Sequence, residues 1–422
     1  MRSFCGLALV ASLVAPAGAV GRAAQAQQSS IPVHQLGAIV ARDTDTLANF
    51  TSIRPLSDGR VLLNDVARRR LVLLDATLQH AQVLADTTAA TTHLYGSGPP
   101  LPGASYRPSG LSNMTAWLGD STLIVDDATN AFIVIDPEGR FARIIPAPRA
   151  ASAPPGQPGG ALMGADLAGH LLYHQTRSIA SPQLPPTFMG DTSVRLPDST
   201  VVRRVSLATW RSDTIARLLV PETRVFVTRS AMSYDTRSAT SPIASADDAA
   251  LACDGSLAIV RAYDYHVDWV AADGRTTSGP PIPIDWVHIS SSRKVAIMDS
   301  IRASDSVSAV KNAVAAAARG QDVFQPPRTY VLASDLPDDV SPFLTGQTRA
   351  DADGNVWIRV SNPSPPPTFD VIDRRGERVD RIELPLGATL LGFGPGVVYY
   401  TNRARRTQAG RTVFQLVEAR IH

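Results

Sequence analysis

Short apolar runs set off by tight-turn signals recur along the whole chain. The phrase LSDGRVLLND (56–65) places an Asp-Gly turn before Val61, Leu62 and Leu63 and closes on Asn64-Asp65. It returns as LGDSTLIVDD (118–127), LAGHLLYHQ (167–175), ACDGSLAIVRA (252–262), DADGNVWIRVSN (351–362) and GFGPGVVYYTN (392–402). Each copy pairs a turn rich in Asp or Gly with a run of Val, Ile, Leu, Tyr or Trp, the pattern of a hairpin turn feeding a strand. A second strand and turn follow in RLVLLDATLQ (70–79), AFIVIDPEGR (131–140), VRRVSLATWRSD (202–213), VDWVAADGR (267–275) and FDVIDRRGER (369–378). A third short strand follows in AQVLAD, RIIPAP, IARLLVP and RIELPL.

The unit is strand, turn, strand, loop, strand, turn, strand. Repeated at intervals of roughly forty residues or more, it is the mark of a propeller blade. Six units begin near residues 50, 110, 160, 245, 345 and 388, and irregular spacing leaves a seventh open. The last unit supplies three strands, and VHQLGAIVARD (33–43) offers a fourth from the other end of the chain. That pairing leaves no open sheet edge at the seam. The expected fold is therefore all-β, a six-bladed β-propeller of four-stranded antiparallel blades whose N-terminal strand closes the last blade.

Four insertions exceed this plan. Pro-Gly-rich stretches at 96–110 and 145–161 read as connections, and 176–200 interrupts the third blade. The segment 290–320 reads as helical, within an insertion taken as 290–325. Val295, Met298, Ile301, Val307, Val310, Val314 and Ala317 form one apolar face, Ser292 or a neighbouring serine caps its start, and Gly320 ends it. A broken helical pair, its apolar face buried across one mouth of the ring, is expected. A partner-binding helix is the alternative, and membrane binding finds few cations to support it.

Residues 1–26 read as an export signal. Arg2 precedes an apolar run from Phe4 to Val14, and Ala24-Gln25-Ala26 offers a cleavage site. Cleavage there removes Arg2 and Arg22 and takes the formal charge of the chain from +2 to zero. The propeller domain is then 27–422, exported to the periplasm or beyond, and a monomer with no membrane insertion is expected. Acidic and basic residues are interspersed with no basic stripe, which argues against nucleic acid. Cys5 leaves with the signal, so Cys253 is the remaining thiol and an internal disulfide is excluded. Cys253 reads as a small buried residue beside the Asp254-Gly255 turn.

YGSGPPLPGASYRPSGL (95–111) resembles the Gly-Pro-rich connection between blades of secreted bacterial six-bladed β-propellers related to the NHL-repeat and TolB-like groups. TRADADGNVWIRV (348–360) with FDVIDRRGERV (369–379) is similar to one of their complete blades. The resemblance covers most of the mature chain and rests on turns and packing motifs. It implies a fold shared by binding scaffolds and enzymes alike.

Candidate chemistry gathers where the second strands end. Aligning the repeats places Asn64, Asp126, His174, Arg261, Arg359 and Asn402 there, a polar ring at the channel mouth. Lining a solvated channel and satisfying strand ends is the structural role open to them. Two arginines favour a carboxylate-bearing ligand over a bare cation. Six-bladed lactonases of the gluconolactonase type hold a calcium-like ion through Glu, Asn and Asp oxygens, and by that resemblance Asn64, Asp126 and Asn402 could supply oxygens.

Other templates fail. There is no G-x-S-x-G elbow and no phosphate-binding glycine pattern, and His170 and His174, four apart, fall in a predicted strand where that spacing leaves a gap of about 13 Å. The pairs Asp126-Asp127, Asp247-Asp248 and Asp338-Asp339 read as turn-stabilising, because adjacent strand residues face opposite ways. The expected function is binding of a small polar ligand or a protein partner on the loop-rich face, without catalysis or cofactor. The alternative is a lactonase- or esterase-like hydrolase at the channel mouth, needing a divalent cation such as calcium. A structural part of an envelope complex is a third reading.

Overall fold

The recurring runs are apolar at consecutive positions, and such strands need cover on both faces. The computed structural model supplies that cover. It describes residues 32–422 except 44–49, 66–67, 69, 87, 89–113, 127–130, 147–159, 176–183, 186, 244, 322–327, 362–364 and 407–411. The expected signal, the whole 95–111 connection, and Asp127 lie outside the described residues.

The chain begins with β1 (Val33–Gln35) and β2 (Ile39–Arg42). A first sheet follows from β3 (Phe50–Pro55), β4 (Val61–Asp65), β5 (Arg70–Leu74) and β6 (Ala81–Ala85). The second is β7 (Met114–Ala116), β8 (Thr122–Asp126), β9 (Ala131–Ile135) and β10 (Phe141–Pro146). In the third, β11 (Gly160–Ala165) and β12 (His170–Gln175) are separated by β13 (Gly190–Arg195) from β14 (Ser199–Ser206) and β15 (Ser212–Leu219). Next come β16 (Thr223–Arg229) and β17 (Tyr234–Thr240), which join β13 in an additional three-stranded sheet. The fourth four-stranded sheet is β18 (Asp248–Leu251), β19 (Leu257–Val260), β20 (Val267–Val270) and β21 (Thr276–Ser278). Helix α1 (Ser291–Ala317) precedes the fifth, built from β22 (Arg349–Ala350), β23 (Val356–Arg359), β24 (Thr368–Ile372) and β25 (Arg378–Glu383). The sixth has β26 (Thr389–Gly394), β27 (Val397–Arg406) and β28 (Thr412–Arg420).

The sixth sheet takes its outer strand from the other end of the chain. β2 pairs antiparallel with β28, placing Ala41 opposite Glu418. β1 adds to the fifth sheet instead, parallel to β25. The segment 33–43 thus contributes to two neighbouring sheets where one was expected.

Apolar clusters join each sheet to the next. Leu62 and Leu73 meet Met114 and Ile133 between the first and second sheets; Phe132 meets Tyr173 and Val205 between the second and third. Leu172 and Val202 meet Leu257 and Ile259, and Val260 meets Val356 and Ile358. Trp357 and Phe369 pack on Val398 and Tyr400, and Tyr399 with Leu416 packs on Val61 and Leu63 of the first sheet. Strands such as β4, β9 and β24 are consequently buried along their whole length. The protein is an all-β assembly of four-stranded antiparallel sheets, consistent with a β-propeller.

The turn aspartates act locally. Asp166 accepts from the backbone N–H groups of Ala168 and His170 at 3.0 and 2.8 Å. Asp351 does the same for Asp353 and Asn355, at 3.0 and 2.8 Å, and also takes the Trp357 indole N–H at 3.0 Å. Gly376 is required twice over. Its φ is +80°, and a Cβ there would stand 2.6 Å from Gly279 Cα.

Two expectations need correction. The helical insertion is one continuous helix of 27 residues, not a broken pair. Ser290 caps its N-terminus, and Met298 is buried, but Val295, Val307, Val310 and Val314 are exposed. The main apolar cover is on the first half, where Met298 meets Ala239, Val331 and Leu336, and Ala316 is buried near the C-terminal end. Cys253 is exposed rather than buried, with its thiol 3.4 Å from the Ala352 carbonyl. Among the described residues no helix is long and apolar enough to cross a membrane.

Candidate functional site

Antiparallel order dictates which loops share an end. In each four-stranded unit the loop from second to third strand lies at the same end as the connection to the next sheet. β13, the β16–β17 hairpin and α1 are all inserted in such connections. They therefore stand at the same end of the sheets as the second-strand termini.

The six expected ring residues lie on or just after second strands, but not at one register: Arg261 follows the last residue of β19 and Asn402 lies in the middle of β27. Asn64 is buried within β4. Asp126 ends β8 opposite Ala131, and its side chain lies outside the described residues. Asn402 lies inside β27 opposite Gln415 and is exposed. His174 is half-buried near the end of β12, and its Nε2 is buried without a hydrogen-bond partner among the described residues. Burial pushes its pKa down, so the imidazole is neutral at pH 7.

The two arginines part company. Arg261 bridges Asp268 and Asp247, each at 2.7 Å, and donates to the Arg217 carbonyl of the third sheet at 2.9 Å. It is a strap between the third and fourth sheets. Asp247 also accepts from the Leu219 and Ala262 N–H groups. Arg359, by contrast, donates to the Thr368 carbonyl at 3.1 Å and lies over the Phe369 ring. Burial lowers its pKa, and no carboxylate lies within ion-pair distance among the described residues. Arg349 pairs with Trp357 across β22 and β23, so strand parity puts it on the same face as Arg359. Burial lowers its pKa as well, against the opposing attraction of Asp248. Arg261 is thus engaged by Asp247 and Asp268, whereas Arg359 shares a face of the fifth sheet with Arg349.

The acidic pairs divide their work as adjacent strand residues do. Asp248 accepts from the N–H groups of Gly346 and Thr348 at 2.8 and 3.0 Å, tying β18 to the approach of β22. Burial raises its pKa even so. Asp338 pairs with Lys294 at 2.6 Å, and Asp339 with His288 at 3.3 Å.

The mouth-end insertions roof a cleft of about 760 Å³. Arg195, Glu222, Lys294 and Asp335 contribute from the additional sheet, α1 and the 334–339 segment, and Tyr263 from the loop that follows Arg261. Trp286 completes the lining. Several charges in this wall are paired, although its carboxylates outnumber its cations. Arg195 meets Glu222 at 2.6 Å, and Arg224 holds Asp335 with two bonds at 2.8 and 3.1 Å. Burial pushes the Asp335 pKa up, but the Arg224, Leu332 N–H and Arg195 interactions outweigh it and hold the carboxyl below its ordinary range. Lys294 is buried because the Leu336 carbonyl at 2.8 Å and Asp338 receive its ammonium. Tyr263 and Trp286 remain 70% and 41% exposed, leaving aromatic faces open at the cleft.

The repeat alignment stopped two residues short of Tyr263, and Trp286 stood unremarked in the Pro-rich PIPIDWVH. The β16–β17 hairpin was also missed, although TRVFVTR alternates with period two, because its turn at Ser230–Ser233 lacks the Asp-Gly phrase.

No protein-family model and no curated protein matches the chain. Among solved structures it is similar to a putative gluconolactonase at 11% identity and TM-score 0.38, over 92% of this chain and 93% of that one. It is also similar to virginiamycin B lyase from Staphylococcus aureus, at 11% identity and TM-score 0.36, over 90% and 98%. A gluconolactonase from Xanthomonas campestris matches at 12% and 0.36, over 92% and 96%. These are β-propeller proteins. At such low identities and TM-scores the likeness carries no argument about activity.

Proposed function

We propose that the chain is an exported, monomeric six-bladed β-propeller whose mouth-side cleft binds a small polyhydroxylated ligand without covalent chemistry. Six blades are supported by the cyclic order of the apolar clusters and by β2 completing the sixth sheet. The additional sheet packs with α1 and so reads as part of a cap, not a seventh blade.

The observation that carries the reading is the cleft itself. Its volume lies within the 300–1,000 Å³ range of small-molecule sites. Its lining carries Asp198, Glu222, Asp335, Asp338 and Asp339 against Arg195 and Lys294, which disfavours an anionic ligand. Exposed Tyr263 and Trp286 rings suit the apolar faces of a sugar-like molecule, while the surrounding carboxylates accept its hydroxyl protons. The test is a fluorescence titration of the mature chain with a panel of neutral mono- and oligosaccharides. W286A and Y263A should abolish the response while thermal unfolding stays put. Binding that survives both substitutions, or no response to any saccharide at millimolar concentrations, would remove the cleft from consideration.

A second reading has a specific observation behind it. His174 is a neutral imidazole with a buried, unpartnered Nε2, the state required of a general base. It could take a proton from a water attacking a lactone or ester carbonyl. Of the oxygen donors expected for calcium, Asn64 is buried in the first sheet, Asn402 is exposed on the adjoining sixth sheet, and the Asp126 side chain lies outside the described residues. Hydrolysis of lactones or aryl esters that disappears in H174N would establish this reading over simple binding.

A further inference from the structure

Three segments far apart in sequence meet on the rim between the fifth and sixth sheets. His34 lies in β1, Asp380 in β25, and His422 follows β28. One ligand atom from each lies within 4.8 Å of the others. His34 Nδ1 is 2.9 Å from one Asp380 oxygen and His422 Nε2 is 3.0 Å from the other. The two imidazole centroids are 5.3 Å apart. The backbone frames this meeting, with Gly37 N–H donating to the Arg420 carbonyl and Arg420 N–H to that of Ala38, both at 3.0 Å.

We propose that His34, Asp380 and His422 form a binding site for a divalent transition-metal ion of the zinc type, tying both ends of the described chain to the fifth sheet. Two imidazoles and one carboxylate suit zinc, nickel or copper, whereas calcium and magnesium prefer all-oxygen shells. Tetrahedral zinc with bonds of 2.0–2.1 Å needs ligand atoms about 3.3 Å apart. Reaching that spacing takes shifts of roughly 1 Å in side chains that have room to move. His34 and His422 are 48% and 46% exposed, while Asp380 is 14% exposed and is fixed by accepting the Arg381 N–H at 2.7 Å. Water would fill the fourth position. Because the ligands must be deprotonated, binding weakens as pH falls. Because they come from both ends of the described chain, bound metal stabilises the pairing of β1 and β2 with their sheets.

The experiment is calorimetric titration of the tag-free mature chain with Zn²⁺, with Ca²⁺ as control, alongside H34A and H422A. One zinc should bind per chain, each substitution should weaken it at least about tenfold, and calcium should give no heat. Zinc should raise the thermal midpoint of the wild type and leave both variants unmoved. Because both histidines are half-exposed, the variants should keep the wild-type circular dichroism. Zinc binding of equal strength in both variants, or no binding by the wild type, overturns the site and leaves only two imidazoles hydrogen-bonded to a carboxylate.

Discussion

Arg261 and Arg359 stand at the ends of neighbouring second strands, one residue out of register with each other, and replacing each by alanine should give unequal losses. Arg261→Ala removes two bonds of 2.7 Å to Asp247 and Asp268, whose side chains are only 6% and 9% exposed. Breaking a buried ion pair by removing one partner costs about 3–5 kcal/mol. Some of that is offset here. Asp247 retains the Leu219 and Ala262 N–H groups, and Asp268 retains Ser278 at 2.6 Å and His266 at 3.1 Å. A net loss of about 3 kcal/mol is expected. Arg359→Ala gives up one carbonyl bond and a cation–π contact, together about 1–2 kcal/mol, but also relieves a desolvated charge with no acid beside it. Its net cost should stay below about 1 kcal/mol. The difference of about 2 kcal/mol corresponds to roughly a thirtyfold change in the folding equilibrium. Urea unfolding at equilibrium reads it, provided the two variants keep the wild-type slope. Arg261→Lys should fall between, because one ammonium cannot reproduce the fork. Equal midpoints for the two alanine variants would refute the distinction between strap and free cation.

Asp248 gives a pH-dependent contrast. Burial raises its pKa in the folded state, so the carboxyl favours folding while protonated and loses that advantage as pH rises through the folded value. D248N should therefore be more stable than wild type at neutral pH and converge with it below about pH 4; a wild-type advantage at pH 7 would contradict this. Along α1, Met298→Ala should cost about 2–5 kcal/mol, while Val310→Ala should stay within about 0.5 kcal/mol, by thermal or urea unfolding. Comparable losses at both positions would mean that the exposed valines are covered in solution.

What was legible in the sequence was what neighbours in sequence decide. Asp166 and Asp351 satisfy N–H groups two and four residues ahead, so each turn announces itself in a short phrase. The continuous apolar runs, such as Val61-Leu62-Leu63, carry the two-sided burial of their strands. What required partners from elsewhere was hidden. Whether an arginine at a second-strand end is ion-paired depends on partners such as Asp247, which arrives from the connection after β17 and leaves no sign in the repeat phrase. Helical spacing found the apolar positions of α1, but burial went to Lys294, held by Asp338 and the Leu336 carbonyl, while Val307, Val310 and Val314 stayed exposed. The cleft is made by insertions that break the repeat, and Tyr263 and Trp286 belong to no period. His34 and His422 become neighbours only because the first strands join the last sheets.

That joining brings His34, Asp380 and His422 together, and a cross-link measures it directly. Ala41 and Glu418 are direct antiparallel partners across β2 and β28. Direct partners have Cα atoms about 4.5–5.5 Å apart, within disulfide reach. The variant carrying A41C and E418C, with Cys253 replaced by serine, should lose both thiols to alkylating reagent after mild oxidation and gain mobility as a cyclised chain in non-reducing electrophoresis. Two thiols that stay fully alkylatable in the folded, oxidised protein would show that the ends of the chain do not share a sheet.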